Sequence, residues 1–194
     1  MSEPGIEALR REIADCRICE AHLPHGCRPV TQFSASARVL IIGQAPGTKV
    51  HASGVPWDDA SGDRLCEWTG LTREQLHDPA KVAIVPMGFC YPGKASGGDK
   101  PPRKECAPQW HERVLEVLPP DRLTLLVGTY AQAHYLPDTA KLSLTERVRH
   151  WRDYLPFVPT PHPSWRSAIW MKQNPWFEAE VLPVLRSRIA AAIS

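Results

Sequence analysis

The chain has 194 residues, enough for one well-buried domain and too few for two large ones. Hydrophobic residues make up 43%, charged residues 23%, and the net charge is +2, so composition alone does not announce a nucleic-acid binder. No apolar run approaches the ~18 residues of a membrane-crossing helix, and the opening MSEPGIEALRREIADC lacks the apolar core of a signal peptide. A cytoplasmic location is expected, and there six cysteines argue for something other than disulfides.

Along the chain, Ile6, Leu9 and Ile13 form a helix stripe that runs into the CRIC of residues 16–19. Residues 20–37 show no clear period. Val39 to Ile42 is a short buried-strand pattern ended by Gly43. Ser61 is expected to cap a helix through Leu65 and Trp68, with Gly70 as its stop. Thr72 to Gln75, TREQ, fits a capping box. Val82 to Val85 is a second strand, and KASGGDKPPRK reads as a flexible basic loop. A helix then carries Trp110, Val114, Leu115 and Leu118. Leu123 to Val127 is a third strand, followed directly by the helix TYAQAHYL. Leu144, Val148, Trp151 and Leu155 step at helical spacing, and Phe157 to Thr160 reads as a fourth strand. Asn174 and Pro175 cap and start a last helix whose face is Phe177, Val181, Leu185 and Ile189.

Short strands alternating with helices predict a three-layer α/β/α sandwich around a mostly parallel four-stranded sheet. With no repeat and no linker, residues 1–194 read as a single domain. Ligands of such sheets sit outside the carboxyl ends of the strands. The turn GQAPG (Gly43 to Gly47) and the segment PHPSWR (Pro161 to Arg166) both follow strands, so both are expected at one edge. The turn lacks the spacing of a Walker loop or a dinucleotide fingerprint. It could be a plain strand-to-helix turn, a phosphate cradle, or a support for a base.

Cys16 and Cys19 form a C-x2-C pair at a helix end, and Cys90 and Cys106 lie farther on with fifteen residues between them. They read either as scattered small hydrophobes or as four thiolate ligands for zinc or an iron–sulfur cluster.

In order and spacing, these motifs resemble the iron–sulfur uracil-DNA glycosylases of the uracil-DNA glycosylase superfamily over nearly the whole length. The resemblance rests on Cys16 and Cys19, on GQAPG, on GVPW (Gly54 to Trp57), on Cys90 and Cys106, and on HPS (His162 to Ser164). It implies a [4Fe–4S] cluster on Cys16, Cys19, Cys90 and Cys106, with zinc as the alternative, and leaves Cys27 and Cys66 structural. It also implies a DNA partner containing a damaged or deaminated base, no membrane, and action as a monomer.

Excision of a base breaks an N-glycosidic bond, leaving an oxocarbenium-like sugar and an anionic base. By the resemblance, His162 donates to the uracil O2, and Trp57 stacks on the flipped base where the family has phenylalanine. Gly43, Ala45 and Gly47 bring the turn's backbone close. Ser164 bonds a phosphate, and Trp165 or Arg166 enters the space the base leaves. Lys94, Lys100, Arg103 and Lys104 either contact the DNA backbone or belong to a solvated loop. Two positions depart from the family: Gln44 stands where glutamate is usual, and Pro86 where an asparagine reads the base edge. Gln44 can orient water without acting as a base. Asp58 or Asp59 either replaces the carboxylate or caps the helix near Ser61. The expected function is a DNA glycosylase acting on uracil or another deaminated base. A non-catalytic iron–sulfur DNA-binding or base-sensing protein of the same fold is the alternative, and a zinc-stabilised small-ligand module ranks third.

Overall fold

The computed structural model describes residues 2–194. Val39–Ile42 (β1) consists of four aliphatic residues, all buried, which requires cover on both faces. Val82–Ile84 (β2) is buried in the same way. Lys94–Ala95 (β3) and Gly98–Asp99 (β4) form a separate antiparallel hairpin. Leu123–Val127 (β5) and Phe157–Thr160 (β6) complete the main sheet, whose order is β2-β1-β5-β6 with every pair parallel.

The alternation along β1 separates two cores. Leu40 and Ile42 pack with Ile6, Leu9 and Ile13 of α1 (Glu3–Ala14). Val39 and Ile41 face the opposite way. They join Leu65 and Trp68 of the helix Ala60–Thr69 and Leu185 and Ile189 of the helix Leu182–Ile193. The three-layer α/β/α sandwich with a four-stranded central sheet is thus present, and its sheet is wholly parallel.

The remaining helices are α2 (Thr48–Ser53), α3 (Ala60–Thr69), α4 (Arg73–Leu76), α5 (Cys106–Leu115), α6 (Thr129–Tyr135), α7 (Leu144–Arg149), α8 (Ser167–Gln173) and α9 (Leu182–Ile193). The capping box at Thr72 and Gln75 is formed as expected. Four local expectations change. The cap of α3 is Asp59 rather than Ser61, because its carboxylate accepts the Gly62 N–H at 2.9 Å. The stretch read as a flexible loop holds the β3–β4 hairpin, where Gly97 takes the left-handed turn conformation at φ 82°. The helix through Leu144 ends at Arg149, and Leu155 is exposed rather than part of its face. Asn174 does not cap the last helix; its amide donates to the Trp170 carbonyl at 2.9 Å and closes α8. The final helical segment opens with a wide turn over Phe177–Val181 before α9, and Phe177, Val181, Leu185 and Ile189 are all buried.

Candidate active site

The carboxyl ends of β1, β2 and β6 open onto one cleft of about 450 Å3. It is lined by the turn Gly43 to Gly47, by Trp57, Asp59, Pro86 and His162, and by Ser164, Trp165 and Arg166. GQAPG and PHPSWR, far apart in sequence, therefore meet. The turn is held by the chain after β2, where the Met87 and Gly88 amides donate to the Gly43 and Gln44 carbonyls, each at 2.9 Å.

Trp57 is the one non-glycine residue with a positive φ among the described residues, at 56°. For a bulky side chain this conformation costs about 1–3 kcal/mol and persists only where its surroundings impose it. Here Arg73 donates to the Trp57 carbonyl at 2.6 Å, and the His77 ring bonds the Pro56 carbonyl at 2.9 Å. Gly62 leaves the room that this carbonyl occupies. The indole then lies against Gly43, and its ring centroid is 5.5 Å from that of His162. A Cβ on Gly43 would stand 2.9 Å from the Trp57 Cζ2, an atom of the outer indole ring that phenylalanine lacks. Gly43→Ala should therefore weaken the fold and ligand binding in the wild-type background, and clearly less in a Trp57→Phe background. A double-mutant cycle in thermal denaturation should show coupling of about 1 kcal/mol, whereas strict additivity would mean that the two side chains do not share this space.

His162 is half-buried, and its imidazole is shifted below the usual histidine range. Burial dominates and disfavours the cation, while the nearby carboxylates of Asp59 and Asp99 work against that shift. The ring is therefore neutral near pH 7 and able to donate one N–H. Its loop is fastened from α3: Arg64 donates to the Ser164 carbonyl and reaches the Ser167 hydroxyl at 3.2 Å. The Ser167 hydroxyl also donates to the Ser164 carbonyl at 2.6 Å. Trp165 is 71% exposed at the rim, with the Arg166 guanidinium 5.3 Å from its ring.

The candidate carboxylates part company here. Asp59 lines the cleft with Oδ2 while Oδ1 caps α3; Asp58 is exposed and outside the lining. Gln44 lines the cleft, its amide donating to the Lys100 carbonyl at 3.4 Å. Pro86 lines it too, and its carbonyl accepts from the buried His111 ring at 3.0 Å, while the other ring nitrogen meets the Tyr135 hydroxyl at 2.6 Å. Lys100 and Lys104 are exposed, and Lys94 pairs with Asp99 at 3.2 Å. Arg103 is placed away from the cleft: it binds Glu105, whose carboxyl it holds down at about 2, and Glu105 lies 3.8 Å from the Cys19 sulfur. Arg64, Arg73 and Gly62 were not singled out from sequence. They act on the site mainly through backbone atoms, which leave no motif.

Cys16, Cys19, Cys90 and Cys106 line a second, small cavity walled by Leu23, Pro29, Phe89 and Trp110. Cys27 lines it as well, beside Cys90, whereas Cys66 packs in the core on the other side of the sheet. Burial pushes the Cys90 and Cys106 thiols up to about 12. Among the described residues no three His, Cys, Asp or Glu side chains close on a position for a single metal ion. No described helix is long and apolar enough to cross a membrane.

A sequence model of the family described as the uracil DNA glycosylase superfamily matches residues 30–186, which contain both cleft motifs. The chain is also 26% identical over 169 residues to a Thermotoga maritima protein named Type-4 uracil-DNA glycosylase, across 84% of this chain and 83% of that one. With the parallel sheet, the glycine turn and the HPS loop facing one cleft, the match over most of the length places this chain in the uracil DNA glycosylase superfamily.

Proposed function

We infer that the protein is a DNA glycosylase that removes uracil or another deaminated base. The observation that carries this reading is the juxtaposition of Trp57 and His162 at 5.5 Å across the mouth of the glycine turn, with the Asp59 Oδ2 beside it. Trp57 offers a face on which an extruded base stacks. As the C1′–N1 bond lengthens, negative charge grows on the base, and the neutral His162 donates an N–H to its O2. The sugar becomes cationic, and the Asp59 carboxylate on the sugar side stabilises it. Gln44 orients the attacking water without taking its proton. Trp165 and Arg166 at the rim suit the space vacated in the duplex, and Ser164 suits a phosphate. Pro86 offers no side-chain donor, so discrimination among bases falls to backbone groups of the cleft and to its shape.

The test is single-turnover incubation with labelled oligonucleotides carrying uracil, hypoxanthine or xanthine, followed by alkaline cleavage. Strand breaks at one of these bases are the expected result. Intact strands with all three, together with retained DNA binding, would leave the non-catalytic reading in its place.

Cys16, Cys19, Cys90 and Cys106 fit a sulfur-ligated cofactor, since the side chains lining their cavity are thiols, aliphatic groups and aromatic rings, with no carboxylate or imidazole among them. Their pattern resembles that of the iron–sulfur uracil-DNA glycosylases, which favours a [4Fe–4S] cluster over zinc. When bound, the cluster would cross-link the N-terminal segment to the chain around α5. Anaerobically purified protein should be brown with about four iron atoms per chain. Serine at any of the four positions should lower the iron content, and Cys66→Ser should not. Colourless protein with one zinc per chain would replace the cluster assignment.

A further inference from the structure

The resemblance to known glycosylases does not account for Asp99, and no motif contains it. The β3–β4 hairpin carries it over the cleft, where it is among the lining residues. Its Oδ1 takes the Lys94 ammonium at 3.2 Å, while its Oδ2 lies 3.5 Å from the place a Cβ on Gly47 would occupy. The Asp59 Oδ2 lies 4.0 Å from that same place. Each carboxylate thus has one oxygen engaged by the protein, by the Gly62 N–H or by Lys94, and the other turned toward the glycine turn. Both reach His162 electrostatically, opposing the burial that keeps its ring neutral. The hairpin is held in this position by Arg166, which donates to the Gly97 carbonyl, and by Gln44, which donates to the Lys100 carbonyl.

As a staple for the hairpin, the Lys94–Asp99 pair is weak. The two side chains are 70% and 30% exposed, and such pairs contribute little to stability. The geometry suits a role toward the cleft better. Building on the glycosylase reading, we propose that Asp99 is a second catalytic carboxylate, standing with Asp59 on the sugar side of the cleft. It supplies there the charge that Gln44 cannot. In the reaction the C1′–N1 bond breaks and its electron pair leaves with the base. A lone pair of water then forms the C1′–O bond. The water's proton passes to the Asp99 carboxylate and on to solvent, and the departed base anion takes up one proton. Water is thus divided between sugar and base, and the carboxylate is regenerated.

The experiment compares the full-length wild type with Asp99→Asn in two measurements. The first is single-turnover excision of whichever base the wild type removes, which should fall about tenfold, the scale of one charge acting on a nearby cation in a partly solvated site. The second is affinity for duplexes containing a cationic pyrrolidine abasic analogue or a neutral tetrahydrofuran one. The wild type should prefer the cation; the variant should lose about five- to tenfold of that preference while binding the neutral duplex as before. Equal loss of affinity for both duplexes would make Asp99 a structural support and overturn the proposal. So would an unchanged preference with an unchanged rate. Should the wild type excise no base, the glycosylase reading fails on its own, and the pyrrolidine preference still decides whether Asp99 faces a developing cation.

Discussion

Replacing His162 with alanine should lower single-turnover excision by about 10²–10³-fold, the usual loss when one donor to a developing anion is removed. The effect should appear in the chemical step and hardly in DNA affinity, because the leaving base carries its charge only in the transition state. The ring can serve as a neutral donor because burial holds its pKa below the ordinary histidine range, against the pull of Asp59 and Asp99. The sign of the pH dependence follows. The neutral form is the one the folded protein favours, so the rate should hold through the pH range in which a free histidine takes up its proton, while stability declines there because the unfolded chain binds a proton that the folded one refuses. At still lower pH the rate should fall as the folded-state imidazole is protonated, and this group should cost no further stability. His162→Gln, which keeps an N–H donor, should retain part of the rate. An alanine variant with wild-type turnover would remove His162 from the mechanism.

Gly62→Ala should cost about 3 kcal/mol of stability, at the upper end for overpacking because the obstacle is backbone. A Cβ there would stand 1.8 Å from the Trp57 carbonyl oxygen and 3.0 Å from the Arg73 guanidinium that bonds it. Neither can yield without breaking the Arg73 bond to that carbonyl. In a chain of this length the loss should read as a drop in Tm of about 6–12 °C. Excision should fall with it even at temperatures where the variant is folded, because the displaced turn carries the indole away from Gly43. Wild-type Tm would mean that the loop before α3 moves freely, contrary to the packing around Trp57.

Much of this arrangement was legible from local pattern. The apolar runs of β1 and β5 sit where their residues placed them, because a strand buried on both faces leaves a nearly continuous apolar signature. Gly43 to Gly47 and His162 to Ser164 were recognisable because their chemistry is compressed into a few adjacent residues. Asp99 was invisible for the opposite reason. It lies in a stretch rich in glycine, proline and lysine, and only the hairpin, closed by Gly97 and latched by Arg166, turns it toward the cleft. Arg64 and Arg73 were hidden because their bonds that hold the site's loops go to the Ser164 and Trp57 carbonyl oxygens, a group every residue has. Ser61, Asp58 and Asp59 are all good caps for α3 by sequence, and only the bond from the Gly62 amide to the Asp59 carboxylate separates them.

The sheet order also sets the timing of assembly on the ribosome. β1, β2, the glycine turn and all six cysteines lie within the first 106 residues, so most of one wall of the cleft emerges early. β5, buried along its whole length, must then wait for Phe157–Thr160 to cover its open edge, some thirty residues later. Until then it presents an apolar strand edge of the kind that invites pairing with another chain. The strand that relieves this exposure is the one that leads directly into His162. A nascent chain therefore brings His162 to the cleft in the same event that seals its sheet. Once sealed, the new outer edge carries Pro159, which has no N–H to offer a further strand.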